Sequence, residues 1–176
     1  MMTSKKVNHT DDLHVWYIRL LEVWGVIWGL PVHLFGLLVI VLLVATRNAD
    51  VKRVQWPFID VVMVKNRGLF GVWLSKKWSS WAGFNCGMVS VYRWDYVDHP
   101  RTIRHERRHG YQIFVFGLLQ PVIYFLSSVW IYFFMKKLHS YYDNPFERDA
   151  RAFAGQQVDI PKSQWMSGPA DRWAWW

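Results

Sequence analysis

Cysteine is almost absent from this 176-residue chain: Cys86 stands alone, which excludes an intrachain disulfide framework and a cysteine-based zinc knuckle. Glutamate is nearly as scarce, with only Glu22, Glu106 and Glu147. Negative charge is short overall, since 13 acidic residues face 21 Lys and Arg and leave a formal net charge of +8. Such an excess fits nucleic acid or anionic lipid. The basic residues do not form one helical stripe, however, and long apolar runs separate them. The sequence carries no internal repeat, phosphate-cradling glycine loop, Ser/His/Asp arrangement or nucleic-acid fold signature. A lipid bilayer is therefore the expected partner, and nucleic acid is not.

What the chain has in abundance is tryptophan, 13 in a sequence that is 52% hydrophobic and 18% aromatic. Indole buries its ring while keeping its N–H hydrated, a combination suited to a membrane interface. Residues 1–22 read as a polar segment that becomes amphipathic, with Leu13, Trp16, Tyr17, Leu20 and Leu21 at helical spacing. Residues 23–45 carry no fixed charge and would span ~30 Å of hydrocarbon as one helix. A transmembrane helix is expected there, with His33 as an interfacial or interhelical polar group rather than a ligand. Lys5, Lys6 and Arg19 precede the helix and Arg47, Lys52, Arg53 and Lys65 follow it, so the positive-inside rule points to a cytoplasmic C-terminal domain.

Residues 54–96 predict a small antiparallel sheet. Val54–Val64 forms a strand-like run, Lys65 to Gly68 a turn, and Leu69–Leu74 a return. Lys76 to Trp81 mixes cations with tryptophans and suits headgroups or a solvated loop. Gly83 to Gly87 reads as a second turn before Met88–Arg93, which alternates like an edge strand. Asp98-His99-Pro100 then opens a helix, with Asp98 as cap, Pro100 in the first turn and His99 as a polar loop residue.

That helix carries His105-Glu106-Arg107-Arg108-His109, a His-Glu-x-x-His motif. Two imidazoles four residues apart share one helix face and can share a metal ion. Glu106 then lies beside the ion without ligating it, placed to take a proton from a polarised water. Arg107 and Arg108 must turn away or contact a substrate, because cations so close oppose a divalent ion. Zinc held by two histidines takes a third protein ligand, and a glutamate on a later helix is a usual choice. Downstream only Glu147 qualifies, on a segment with a helix-start signature: Asn144 as cap and Pro145 at the first position.

Between motif and glutamate lies a second apolar run, Ile113 to Met135. As one straight helix it would be ~35 Å long and would put His109 and Glu147 on opposite membrane faces. Gly117-Leu118-Leu119-Gln120-Pro121 offers a break. The expected result is a helical hairpin, descending from Pro100 to Leu118 and climbing from Pro121 to about Leu138.

In these elements the sequence resembles the HExxH metallopeptidases of the gluzincin type, closest to small membrane-associated members that read HExxHxxQ, a Gly/Pro-broken apolar stretch, then Asn-Pro-x-Glu-x-x-Ala. Here those are His105 to Gln112, Gly117 to Tyr124, and Asn144 to Ala150, so the resemblance covers roughly residues 85–154. It implies His105, His109 and Glu147 as zinc ligands, Glu106 as general base and a peptide substrate. Asp149 and Gln112 are candidates to support the ligands; Asp149 is equally suited to replace Glu147 or to pair with a neighbouring arginine. Arg151, four residues after Glu147, fits a simple helix ion pair. His139, Tyr141 and Tyr142 sit where an oxyanion donor is expected, although interfacial packing accounts for the tyrosines.

The expected architecture is an α+β membrane protein. An N-terminal segment (1–22) and transmembrane helix (23–45) lead to a zincin-like domain (46–154) with a membrane-embedded hairpin (113–138), then a tryptophan-rich tail (155–176). The competing reading is a non-enzymatic membrane protein, pore-forming or scaffolding, with two apolar segments and with or without a structural metal.

Overall fold

The computed structural model describes residues 9–65, 67, 68, 72 and 82–164. The expected return strand at 69–74 (Val72 apart), the Lys76–Trp81 run and the tail tryptophans Trp173, Trp175 and Trp176 lie outside these residues. The chain is α+β. Helix α1 (His9–Trp28) is followed by α2 (Leu30–Ala45), strands β1 (Ala49–Gln55), β2 (Phe58–Met63), β3 (Gly83–Cys86) and β4 (Val89–Tyr92), then α3 (Pro100–Phe116), α4 (Leu119–Phe134) and α5 (Pro145–Ala154). A short 3-10 turn, Lys162–Gln164, falls in the expected tail.

The single transmembrane helix at 23–45 is not formed. Helix α1 begins within the expected polar segment and ends at Trp28, and α2 leaves it at a bend of 79°. Pro31 supplies the reason, because it has no N–H and sits in the first turn of α2. Gly29 carries the chain through, its carbonyl accepting from the N–H of Val32 and His33. Among the described residues no single helix is long and apolar enough to cross a membrane.

The second apolar run also bends, by 111°, between α3 and α4. Its turning residue is Gly117, with φ 57° and ψ −136°, a backbone conformation open essentially only to glycine. Gln120 and Pro121 fall in the first turn of α4, where proline costs no hydrogen bond, so the turn falls at the start of the expected Gly117–Pro121 break.

The sheet is mixed rather than antiparallel, in the order β1-β2-β4-β3. The Val54–Val64 run falls in two strands, since the chain reverses at Trp56-Pro57 and β1 pairs antiparallel with β2 from Gln55 opposite Phe58. Gly83–Cys86 is itself a strand, with the turn at Gly87 (φ 68°). Strand β4 is interior, not an edge: it pairs antiparallel with β3 and parallel with β2, and all four of its residues are buried.

Alternation along the strands gives the sheet two faces. Ile59, Val61, Met63, Val89 and Val91 pack with Leu37, Val39, Ile40 and Leu43 of α2 into the apolar core. The opposite face receives α3: Phe58 stacks on Phe114 and meets Tyr111 edge-on, and Gly110 lets the helix approach Phe58. Asp60 is 1% exposed and is satisfied by Tyr92, Arg53 and Arg107. The first helical residue of α3 is Pro100, with His99 as N-cap; Asp98, expected as the cap, instead pairs with Lys52 and Arg53.

Candidate metal centre

Helix α3 presents His105 and His109 on one face, one turn apart, with their Nε2 atoms 3.3 Å from each other. Helix α5 brings the third group. Its start is cut by Asn144, whose side chain accepts from the N–H of Phe146 while donating to Ser128 Oγ and the carbonyl of Tyr124 on α4. This fastening sets Glu147 with Oε1 3.2 Å from His109 Nε2 and Oε2 3.3 Å from His105 Nε2. The three ligand atoms all lie within 4.8 Å of one another, a His-His-Glu group able to hold a metal ion. Among the described residues it is the one such cluster. His33, His99 and His139 lie elsewhere, bonded to Gly25 O, to Thr102 and to the N–H groups of Tyr141 and Tyr142.

Hydrogen bonds behind the ligands determine where the imidazole protons sit. Gln112 Nε2 donates to the carbonyl of Phe146 (3.0 Å) and to Asp149 (2.8 Å), both acceptors, so its Oε1 must face His109. His109 Nδ1 therefore carries the proton it donates to that oxygen at 2.8 Å. His105 Nδ1 donates likewise to Gln156 Oε1 at 3.0 Å. Neutral imidazoles of this tautomer leave both Nε2 lone pairs facing the carboxylate. Glu147 Oε2 is buried without a hydrogen-bond partner of its own. Two lone pairs and a carboxylate converging in a buried space demand a positive charge: a proton on His109 or a metal ion. The donor set fits zinc, which takes imidazole nitrogen and carboxylate oxygen.

The electrostatics agree. Burial opposes charge on His109, but the adjacent Glu147 carboxylate outweighs it and lifts the imidazole to about 9. Burial would raise Glu147, yet His109 and His105 hold it well below the ordinary range. Glu106 is 5% exposed and its carboxyl is raised, chiefly by burial, against the pull of the two imidazoles. It faces β3, where Gly83 leaves room for its side chain.

The two arginines inside the motif turn away. Arg107 reaches Asp60 and Gln55, both at 3.1 Å, and Arg108 makes a two-pronged bond to Asp149 at 2.7 and 2.9 Å. Asp149 thus serves both roles expected of it, pairing with an arginine and holding Gln112 against His109, and it is not among the three converging groups. Arg151 approaches Glu147 at 3.9 Å, the expected i,i+4 relation. Tyr141 faces Glu147; burial and that charge push its phenol well above its usual value, so it remains a donor. Tyr142 instead packs on His139.

Two contributors have no counterpart among the residues expected from the sequence. Tyr124 donates to Glu147 Oε1 at 2.9 Å from within the apolar run, where nothing marks it out. Gln156 follows Gly155, a left-handed helix end that returns the chain toward α3; a glycine closing the glutamate's helix is the signal available for it.

Comparison of the chain with known protein families, with curated proteins and with solved structures finds no match.

Proposed function

We propose that the protein is a membrane-anchored, zinc-dependent hydrolase acting on peptide bonds. The observation that carries the reading is the convergence of the Nε2 atoms of His105 and His109 on the Glu147 carboxylate, with Glu106 next to the first of them. Zinc held by His105, His109 and Glu147 would supply Lewis acidity, polarising a carbonyl and making a water acidic near neutral pH. Glu106 takes the proton of the attacking water and returns it to the departing amine; its raised carboxyl pKa brings it closer to the working range of a general base. Tyr141 remains protonated beside Glu147 and supplies a donor toward developing negative charge. Gln112 and Gln156 hold both imidazoles in the ligating tautomer. Peptide as the substrate comes from the family resemblance.

The membrane part of the proposal rests on the uncharged runs of α1, α2 and α4 and on their many exposed large apolar side chains, among them Trp24, Leu34, Leu38, Leu126 and Trp130.

The test is metal analysis of purified protein with turnover on a peptide library. About one zinc per chain is expected, lost in His105→Ala and Glu147→Ala. Glu106→Gln should keep the metal and lose turnover. A structural metal centre without turnover is the second reading, favoured by the burial of Glu106; a metal-loaded wild type as inactive as Glu106→Gln would select it.

A further inference from the structure

We propose that the protein lies in one leaflet of an anionic bilayer and that neither of its two bent apolar stretches crosses it, their four charged limits all lying on the same side. This deepens the membrane placement above and rests on it, but is independent of the zinc chemistry.

Each apolar helix is fastened along its length to a polar part of the domain. Helix α2 lies on the sheet: Gly36, near its middle, lets the helix backbone meet the carbonyl of Cys86, and Leu37, Val39, Ile40 and Leu43 enter the core. The sheet therefore sits at the depth of α2. Its other face holds buried Asp60 paired with half-buried Arg107, and β1 exposes Asp50, Lys52 and Gln55. Running α2 across a bilayer would drag these groups into hydrocarbon, where each unsatisfied polar group costs several kcal/mol. Helix α4 is tied in the same way. Asn144 bonds Ser128 and the Tyr124 carbonyl, holding α4 beside α5 with its Arg148 and Asp149.

The outward faces are apolar. On α1 they include Trp16, Leu20, Trp24 and Ile27; on α2, Leu34, Leu38 and Val41; on α4, Val122, Leu126 and Trp130. The two bends meet, because Trp28 lies over Gly117 and Phe114 lies against Gly25. Exposed Trp28, Leu30, Leu118 and Leu119 therefore gather at one apex.

Charge marks the opposite limit. From Leu20 to Thr46 the only charged residue is Glu22, which is 9% exposed and paired with Arg19; from Gly110 to Met135 there is none. Exposed cations stand at the limits of these uncharged stretches: Arg19 within α1, Arg47, Arg104 with Arg101, and Lys136 with Lys137. Basic residues bounding an apolar face fit a leaflet rich in acidic lipid better than a second copy of this equally basic chain.

The experiment adds the full-length protein to sealed phosphatidylcholine vesicles with and without phosphatidylglycerol. Single cysteines are placed in a Cys86→Ser background at Arg19→Cys, Arg47→Cys, Arg104→Cys and Lys137→Cys, and a membrane-impermeant maleimide is applied outside. All four should label before the vesicles are opened. A position that labels only after opening overturns the proposal by showing a crossing. Flotation should be stronger on the acidic vesicles, and Lys136→Gln/Lys137→Gln, which leaves the fold's buried contacts intact, should weaken it about fivefold per cation on those vesicles alone. Equal flotation on both lipids overturns the acidic-lipid part. Protein that stays in solution as an oligomer overturns both this proposal and the membrane placement beneath it, while leaving the metal content to decide the zinc reading separately.

Discussion

The amide oxygen of Gln156 lies 3.0 Å from Nδ1 of His105, a contact that joins positions 51 apart in the chain and fixes which imidazole nitrogen is left bare. Gln112 does the same for His109. Outer partners of ligating histidines are commonly worth ~10- to 100-fold in metal affinity. Gln156→Ala and Gln112→Ala are each expected to weaken zinc binding by about that much, measured by competition with a chelating dye. Gln156→Glu keeps an acceptor and should retain most of the affinity. Equal losses in both Gln156 variants would mean that an acceptor for His105 Nδ1 is not what the residue supplies.

On the proposed reading Glu106 divides turnover from metal binding. It stands next to His105, faces β3 and is no part of the converging trio. Glu106→Gln should reduce hydrolysis by ~10²- to 10⁴-fold, the usual contribution of a positioned base, with stoichiometric zinc retained. Loss of zinc in this variant would place Glu106 among the ligands instead.

Proton and metal compete for the same space. His109 is lifted above 6.5 to about 9 by its carboxylate neighbour, so below that value it keeps a proton that an ion must displace. Zinc affinity should rise ~tenfold per pH unit on approaching 9 and then level off. The sign for the metal-free fold is opposite. The imidazolium–carboxylate pair stabilises it fully below 6.5, and that contribution is lost as pH rises through about 9. Thermal melts of chelator-treated protein should therefore show a falling Tm across this window, reversed by added zinc. A Tm that is flat across it would remove the electrostatic account of the trio.

Gly117 and Gly155 separate two costs of a missing side chain. Gly155 has φ 67° with open space around its Cβ position, so Gly155→Ala should cost only ~1 kcal/mol of left-handed strain. Gly117 combines a glycine-only backbone with the Trp28 ring directly over it, and Gly117→Ala should cost about 2 kcal/mol or more. Urea titrations in detergent decide between the two; equal costs would mean that Trp28 simply moves aside.

Local signals carried much of the site. The i,i+4 histidines, the Gly/Pro break and the Asn144-Pro145 start are short-range instructions, and the helices they announce bring His105, His109 and Glu147 together. Strand pairing was less legible, because the parallel contact of β2 with β4 depends on residues about 30 positions apart that alternate alike in either register. The bend at Gly29 hid within a run whose hydrophobicity dominates, although Pro31 was visible in it. Tyr124 and Gln156 could be found only once the chain had folded back, since each acts across a gap that no sequence period reports.

Helix α5 is ten residues long, yet it carries Glu147, the Phe146 carbonyl and Asp149 that aim Gln112, and the glycine turn that returns Gln156. It is held by Asn144 on α4, by Asp149 on Arg108, by Gln112 on the Phe146 carbonyl, and by a buried face that includes Phe146, Ala150 and Ala154. Because Glu147 rides on this short segment and both histidines on α3, release of a bound ion would need only that the segment detach, an opening of smaller amplitude than global unfolding. Chelators should strip the protein at a rate set by that detachment, faster than the chain unfolds, and a cross-link pinning α5 to α4 would slow release without altering how tightly the two imidazoles present their lone pairs.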